Sequence, residues 1–444
     1  MKSIIGSLYL SNRLLIALGC NVGLFILGFV YIAVFALAKV CFLIILAILV
    51  VDLILLYAKK HAISGIRTTP EKFSNGDQNE IKVSVTNNYG FKTWIKIIDE
   101  FPVQFQFRDT EFDIVLPANE TDEFCYDLRP TERGEYHFGK MNCFVRSPLG
   151  LVARRHVVAK EQMVPVYPSF LQLRKYELLA ISDRLTEVGV KKIRKIGQNT
   201  EFDQIRDYVR GDDYRTINWK ATARRGDLMV NQYQDEKSQS IYSLVDKGRA
   251  MKMPFDGLTL VDYAINASLV MSNIAINKDD KAGLITFSNR IGSIIKDSNR
   301  KIQMHSIMEA LYSQQTRFQE SDFGRLYRNI KWNITRRSLL MLYTNFESLV
   351  ALQRQIKYLR AIAKDHLLVV VFFENTELKE LTESHATSTE GIYARTIAEK
   401  FTYEKKMIVK ELQKYGIHSI LTTPENLTIS SINKYLELKS RGMI

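Results

Sequence analysis

The chain has 444 residues, a net charge of +13, 46% hydrophobic residues and 25% charged ones. That is enough for two or three domains, and the composition is that of a folded protein. The positive excess suits nucleic acid, anionic headgroups or an acidic partner, but acids are interleaved with the bases and no run of five like charges occurs, which argues against a dedicated nucleic-acid arm.

From Leu14 to Ala58 the chain is almost wholly apolar, interrupted by Asn21, Lys39 and Asp52. One helix across a hydrocarbon core of about 30 Å needs about 20 residues. The stretch therefore predicts a hairpin of two membrane helices, near 14–35 and 40–58, joined close to Lys39. A cleaved signal peptide fits less well, because the second apolar run follows at once. Lys2 and Arg13 precede the first helix, and Lys59, Lys60 and His61 follow the second. The positive-inside rule then places both ends, and all that follows, in the cytoplasm. Asp52 is costly inside a membrane helix and is expected to face the partner helix or the interface. Cys20 and Cys41 lie in these apolar runs, and no C-x-x-C spacing accompanies Cys125 and Cys143. A zinc site is not indicated, and a reducing compartment fits best, with a Cys125–Cys143 disulfide left open.

From about Ile66 to Pro168 the period shifts to two. Ile81–Thr86 alternates apolar and polar and ends at the turn residues Asn87-Asn88-Tyr89-Gly90. Further short strands follow at 93–99, 113–116, 123–128, 133–139 and 143–145, with Phe101–Phe107 as a possible extension. This predicts a β-sandwich over residues 62–168. His137 and His156 are isolated and suggest no metal. A helix is predicted over Phe170–Thr186, then a basic loop with Lys191, Lys192, Arg194 and Lys195.

After Glu236 strands and helices alternate. Strands are predicted at 240–245, 282–287, 291–296, 338–343, 366–373 and 417–422. Helices are predicted at 258–276, 300–313, 349–365, 396–415 and 428–440. The alternation predicts a mainly parallel sheet covered on both faces over residues 237–444, with ligands at the carboxyl ends of its strands.

Residues 169–236 form a linker that contains the densest stretch of the chain, Glu201–Glu236. Gly211-Asp212-Asp213 and Gly226-Asp227 are turn signals. Arg206, Asp212, Asp213, Arg215, Asn218, Trp219, Lys220 and Arg224 are the candidate binding residues. Their charges can pair with one another, or the group can present a recognition surface. Arg206-Asp207-Tyr208, Gly211-Asp212-Asp213, Arg215, Ile217-Asn218-Trp219-Lys220, Ala223-Arg224 and Gly226-Asp227-Leu228 resemble the signature of the bacterial family known as domain of unknown function 58. The resemblance implies a membrane hairpin, a β domain, this signature and a von Willebrand factor type A-like α/β domain. It implies no assigned activity. Relatives resemble components acting beside MoxR-type AAA+ ATPases, so such an ATPase is the implied partner.

Type A domains that bind a divalent metal end their first strand in D-x-S-x-S. The matching residues here are Asp246-Lys247-Gly248-Arg249-Ala250, with Gly248 and Ala250 where serines would stand. Asn345 occupies the expected place of a second aspartate, and Thr316 that of a threonine. No metal and no cofactor are therefore expected. The phosphate loop G-x-x-x-x-G-K-[ST], H-E-x-x-H and G-x-S-x-G are absent from the sequence. The expectation is a non-enzymatic membrane-anchored adaptor. The alternatives are a metal-dependent hydrolase using Asp246 with Asp212 and Asp213, and a nucleic-acid-binding protein using the basic loop and Trp219.

Overall fold

A computed structural model describes the chain apart from residues 1–5, 108–110, 173, 175–199, 210–211, 236–237, 316–318 and 384–387. The basic loop at Lys191–Lys195, most of the helix predicted from Phe170, and Thr316 lie outside the described residues. The chain divides into two compact units, Met1–Tyr167 and Pro168–Ile444.

The first unit opens with strand β1 (Leu8–Leu10), then helices α1 (Asn12–Gly28) and α2 (Ile32–Tyr57). Here the structure corrects the expected hairpin. The helices turn at residues 29–31, and Lys39 lies inside α2, its ammonium 4.5 Å from the centre of the Phe35 ring. The sequence reading took a charged residue as the break. The determining residue is Gly28, whose missing side chain admits α2, since a Cβ there would sit 2.8 Å from the Phe35 Cα. Asn21 does not break α1 either; its side-chain amide donates to the Ala38 carbonyl at 3.2 Å.

Of the described helices, α2 alone is long and apolar enough to cross a membrane, and α1 is a shorter apolar helix. At about 1.5 Å per residue, α2 is close to 40 Å long, more than a hydrocarbon core of about 30 Å requires. Its last turns are packed on protein instead. Leu56 is buried in the β core, with Leu49, Leu53 and Tyr57 against it. Asp52 is fully buried, and it faces the turn at residues 147–152 rather than α1. Its carboxylate accepts hydrogen bonds from the Ser147 hydroxyl and from the backbone N–H groups of Leu151 (2.8 Å) and Val152 (3.1 Å). The carbonyls at the end of α2, orphaned as at any helix C-terminus, are met from the same side. Arg154 donates to the carbonyls of Leu56 and Lys59, and the Tyr89 hydroxyl to that of Leu56.

The rest of this unit is β structure: β2 (Ile63–Thr68), β3 (Phe73–Ser74), β4 (Asn79–Asn87), β5 (Thr93–Asp99), β6 (Glu111–Leu116), β7 (Thr121–Leu128), β8 (Gly134–Phe138), β9 (Met141–Arg146), β10 (Val152–Ala159) and β11 (Gln162–Tyr167). The sheets run β1-β10-β9-β5-β6, β2-β4-β7 and β3-β11-β8. The period-two reading holds at β4, where Ile81, Val83 and Val85 are buried and the intervening residues are not. Phe101–Phe107 is not strand: Val103–Phe105 is a single 3₁₀ turn. Ring contacts of Phe101 with Tyr126 and of Phe105 with Tyr136 use these side chains as plugs for the core.

In the second unit the Ser169 N–H is bonded to Asn266, and the antiparallel pair β12 (Thr200–Asp207) and β13 (Met229–Asp235) has helix α3 (Trp219–Arg225) between its strands. The main sheet contains β14 (Ser240–Asp246), β17 (Lys281–Phe287), β18 (Ile291–Ser298), β19 (Leu339–Tyr343), β20 (Leu367–Phe373) and β21 (His418–Thr422); the short pair β15 (Pro254–Phe255) and β16 (Leu258–Thr259) stands apart. Its order is β18-β17-β14-β19-β20-β21, parallel except for β18. Helices α4 (Leu260–Asn277), α5 (Ile302–Tyr312) and α10 (Leu427–Ser440) cover one face. Helices α6 (Phe323–Asn333), α7 (Leu349–Asp365) and α9 (Thr389–Lys414) cover the other, and α8 (Thr376–Glu383) packs beside α9. β14, β19 and β20 are buried on both faces, which is why they read as unbroken apolar runs. Helices α6 and α8 had not been anticipated. α9 starts seven residues before its predicted Thr396, at a Ser388 cap.

Candidate functional site

Two places in the second unit gather the candidate residues. The first is the signature hairpin. The Arg206 fork donates to both Asp212 oxygens, at 2.8 and 2.7 Å, and Asp212 also accepts from the Val209 N–H. That guanidinium, with the Val209 N–H, holds the Asp212 carboxyl below its ordinary range. Asp213 accepts from the Arg215 N–H and so starts the turn Tyr214–Thr216. Asn218 caps α3 by accepting from the Ala221 N–H at 3.0 Å, and its amide donates to Asn231 on β13 at 2.8 Å. The Thr222 hydroxyl accepts from the Met229 N–H. Gly226, at φ +86°, closes the helix in the left-handed region that favours glycine.

Arg206, Asp212, Asp213 and Asn218 thus hold a short helix on a two-stranded ribbon. Trp219, Lys220 and Arg224 are carried by that helix, and all three are exposed, as is Arg215 beside it. Trp219 is 69% and Tyr214 71% exposed. Trp219 stands on the first turn of α3 with its ring in solvent, so it is not packed as a strut. Asp212 and Asp213 are committed to Arg206 and to the turn, which leaves neither as a free partner carboxylate for Asp246.

The second place is the carboxyl end of the sheet, where the strand order reverses between β14 and β19, the crevice in which open α/β sheets hold ligands. Asp246 ends β14 and is buried. Its carboxylate accepts from the Ser321 hydroxyl, from Thr344 Oγ1 at 2.6 Å and from the Gly248 N–H at 2.8 Å. Burial pushes its carboxyl above the ordinary range, against those three donors. Asn345 donates to the Ala250 carbonyl and accepts from Lys405 Nζ at 2.6 Å. Lys405 also donates to the Phe346 carbonyl at 2.7 Å, and burial pushes its ammonium down to about 8, partly offset by Glu347. Lys247 is buried and bonded to Gln314.

These residues do not suit a divalent cation. Such an ion needs several hard oxygen ligands, whereas Gly248 and Ala250 offer no side-chain oxygen and a lysine ammonium already occupies the Asn345 oxygen. Among the described residues no group of three His, Cys, Asp or Glu side chains could hold a metal. Mg²⁺ or Mn²⁺ should leave the melting temperature of the detergent-solubilised chain unchanged. A specific native-state site would add about 2.7 kcal/mol at a hundredfold excess over its dissociation constant. A saturable rise that disappears in Asp246→Ala would overturn the expectation.

Sequence reasoning missed Ser321, Thr344 and Lys405. Thr344 could have been suspected, since it precedes Asn345 at a strand end. Ser321 and Lys405 carry no local signal: they reach Asp246 and Asn345 from 75 and 60 residues away.

Two hollows adjoin here, sharing Asn345 and Glu347. One, of about 190 Å³, is of mixed polarity and includes Asp246, Arg249 and Arg354 with Phe323 and Phe346. The other, of about 320 Å³, is mainly apolar and includes Met253, Phe255, Leu260, Phe373, Leu378 and Phe401, with Lys405.

The chain is 29% identical over 124 residues to the uncharacterized protein YeaD of Bacillus subtilis (strain 168), covering 28% of this chain and 30% of that relative's length. Among solved structures it is similar to the conserved hypothetical protein BatB from Bacteroides thetaiotaomicron, at 14% identity and a TM-score of 0.32, covering 46% of this chain and 99% of that one. It is also similar to the CARDB domain of the PF1109 protein from Pyrococcus furiosus, at 16% identity and a TM-score of 0.17, covering 23% of this chain and 91% of that one. Likenesses this distant carry no argument about activity. Over residues 204–386, the chain is similar to the family described as Protein of unknown function DUF58, whose model matches there.

Proposed function

We propose that this protein is a non-enzymatic adaptor, anchored in the cytoplasmic membrane by the α1–α2 hairpin, whose second unit is a von Willebrand factor type A-like domain that receives a partner protein. A MoxR-type AAA+ ATPase is the partner proposed. The observation that carries the reading is Trp219. A large aromatic ring held in solvent at the start of a helix fixed at both ends is costly to keep without a use, and Trp, Tyr and Arg dominate the energetics of interfaces. The exposed bases Arg215, Lys220 and Arg224 on or beside the same short helix add positive charge suited to an acidic partner face.

Trp219→Ala should leave thermal unfolding within about 0.5 kcal/mol of the parent, as for an exposed position away from special contacts. The same variant should lose capture of the purified ATPase at least about tenfold, as for an interface anchor. Normal capture by the variant would remove this surface from the reading. The anchor is tested separately. The turn at residues 29–31 holds no base, and Lys2, Arg13, Lys59 and Lys60 flank the free ends, so the positive-inside rule puts Ile444 in the cytoplasm. A reporter fluorescent only there, fused to Ile444, should light; a dark fusion with an active periplasmic reporter would reverse the orientation.

A further inference from the structure

The N-terminal half of α9 stands clear of the sheet. Among its described residues from Thr389 to Lys400 only Ala398 is buried. Tyr393, Ile397 and Phe401 follow one another at four-residue spacing and so share one face, and each is exposed, Tyr393 by 73%. The next step along that face is Lys405. Phe401 and Lys405 both line the apolar hollow of about 320 Å³. An apolar track of just over two helical turns, about 12 Å at 1.5 Å per residue, therefore runs into an apolar recess. A contiguous exposed surface of this kind marks an interaction site, and its length beyond the recess suits a polypeptide rather than a small molecule.

The polar groups at the foot of the track define what it takes. Lys405 has three donors and two hydrogen-bond acceptors, Asn345 and the Phe346 carbonyl. Glu347 and Glu374 also line the recess, and neither is ion-paired with Lys405. Lys405 also lies over the Phe372 ring, 5.8 Å from its centre, and the two carboxylates disfavour a third, so the recess suits a neutral or basic group. The last turn of a helix presents orphan carbonyls and commonly carries basic side chains, which complement the two glutamates.

We propose that this track and recess seat an amphipathic helix of a partner protein, its apolar face on Tyr393, Ile397 and Phe401 and basic residues of its last turn against Glu347 and Glu374. The proposal rests on the reading of the chain as an interaction protein, and it places a second contact on it, apart from Trp219. The mode is the helix-in-groove recognition in which apolar anchors repeat every three or four residues.

The test uses the full chain in nanodiscs and two fluorescent amphipathic peptides of about 18 residues, identical except for two Lys or two Glu in the last turn. The Lys peptide should bind about tenfold tighter than the Glu peptide. Ile397→Asp, at an exposed position, should abolish binding of the Lys peptide. Glu347→Gln with Glu374→Gln should bring the two peptides to parity. Equal binding by the parent chain, or binding untouched by Ile397→Asp, would overturn the proposal. So would tighter binding of the Glu peptide. Self-association of the parent chain that is lost in Ile397→Asp would assign the track to a second copy and overturn it as well. All these variants keep Trp219, so peptide binding can fail while ATPase capture survives, and the reverse.

Discussion

Asp52→Ala should destabilise the first unit by on the order of 3 kcal/mol or more, because it removes the acceptor that three hydrogen-bond donors share. Three donors converge on that carboxylate: the Ser147 hydroxyl and the N–H groups of Leu151 and Val152. The variant leaves all three without that acceptor, two of them fully buried, and each buried orphan costs about 1–3 kcal/mol. Asp52→Asn keeps a carbonyl that can accept two of the three, so its loss should be smaller. Hydrogen exchange in detergent gives the local readout. The amides of Leu151 and Val152 should lose protection in Asp52→Ala, while those at the centre of β4 change only with the global stability. An Asp52→Ala chain that melts normally and keeps both amides protected would show that α2 is held by its apolar contacts alone. In that event Leu56, which is fully buried in the same core, would carry the attachment.

The same residue shows where sequence reading stops. Asp52 is visible as an anomaly in an apolar run, and a carboxylate there must have a partner. Which partner is set by the turn at residues 147–152, about a hundred residues away, and no local pattern encodes that pairing. The central strands β14, β19 and β20 of the main sheet were legible because burial on both faces makes them continuous apolar runs of strand length. The hairpin turn was misplaced because polarity was read as punctuation, whereas helix approach at Gly28 is a matter of volume. At the signature, the turns and caps were legible from Gly, Asp and Asn. The solvent-facing Trp219 was not, because an aromatic residue among charges reads equally as a strut or as an anchor. At the sheet's carboxyl end the loss of two motif hydroxyls was legible at Gly248 and Ala250. Their replacement by Ser321 and Thr344 was not, because it is made in space.

That replacement predicts the outcome of restoring the motif. Gly248→Ser should destabilise the second unit by about 1–3 kcal/mol, the usual cost of overpacking. Backbone strain is not the cause, since Gly248 has φ −74° and any residue adopts that conformation. The cause is contact: a Cβ at position 248 would lie 2.0 Å from the Ser321 Oγ and 3.1 Å from Asp246 Oδ1. Ser321 occupies the room that a motif serine would need, and its hydroxyl already serves Asp246. Ser321→Ala alone should cost about 1–2 kcal/mol, because one lone pair of a buried carboxylate loses its donor. In the double variant Gly248→Ser with Ser321→Ala, the new hydroxyl lies on the same side of Asp246 as the one removed, and the clash is relieved. The two losses should therefore not add. A coupling of about 1–3 kcal/mol in favour of the double variant, measured by denaturant unfolding, is the expected result for residues that share one contact. Additive losses would mean that the loop carrying Ser321 simply moves aside, and that the hydroxyl at 321 is not what excludes a side chain at 248. Mg²⁺ should stabilise neither variant, since Lys405 still holds the Asn345 oxygen in both. A saturable Mg²⁺ effect in the double variant would show instead that one serine is all that separates this site from a metal-binding one.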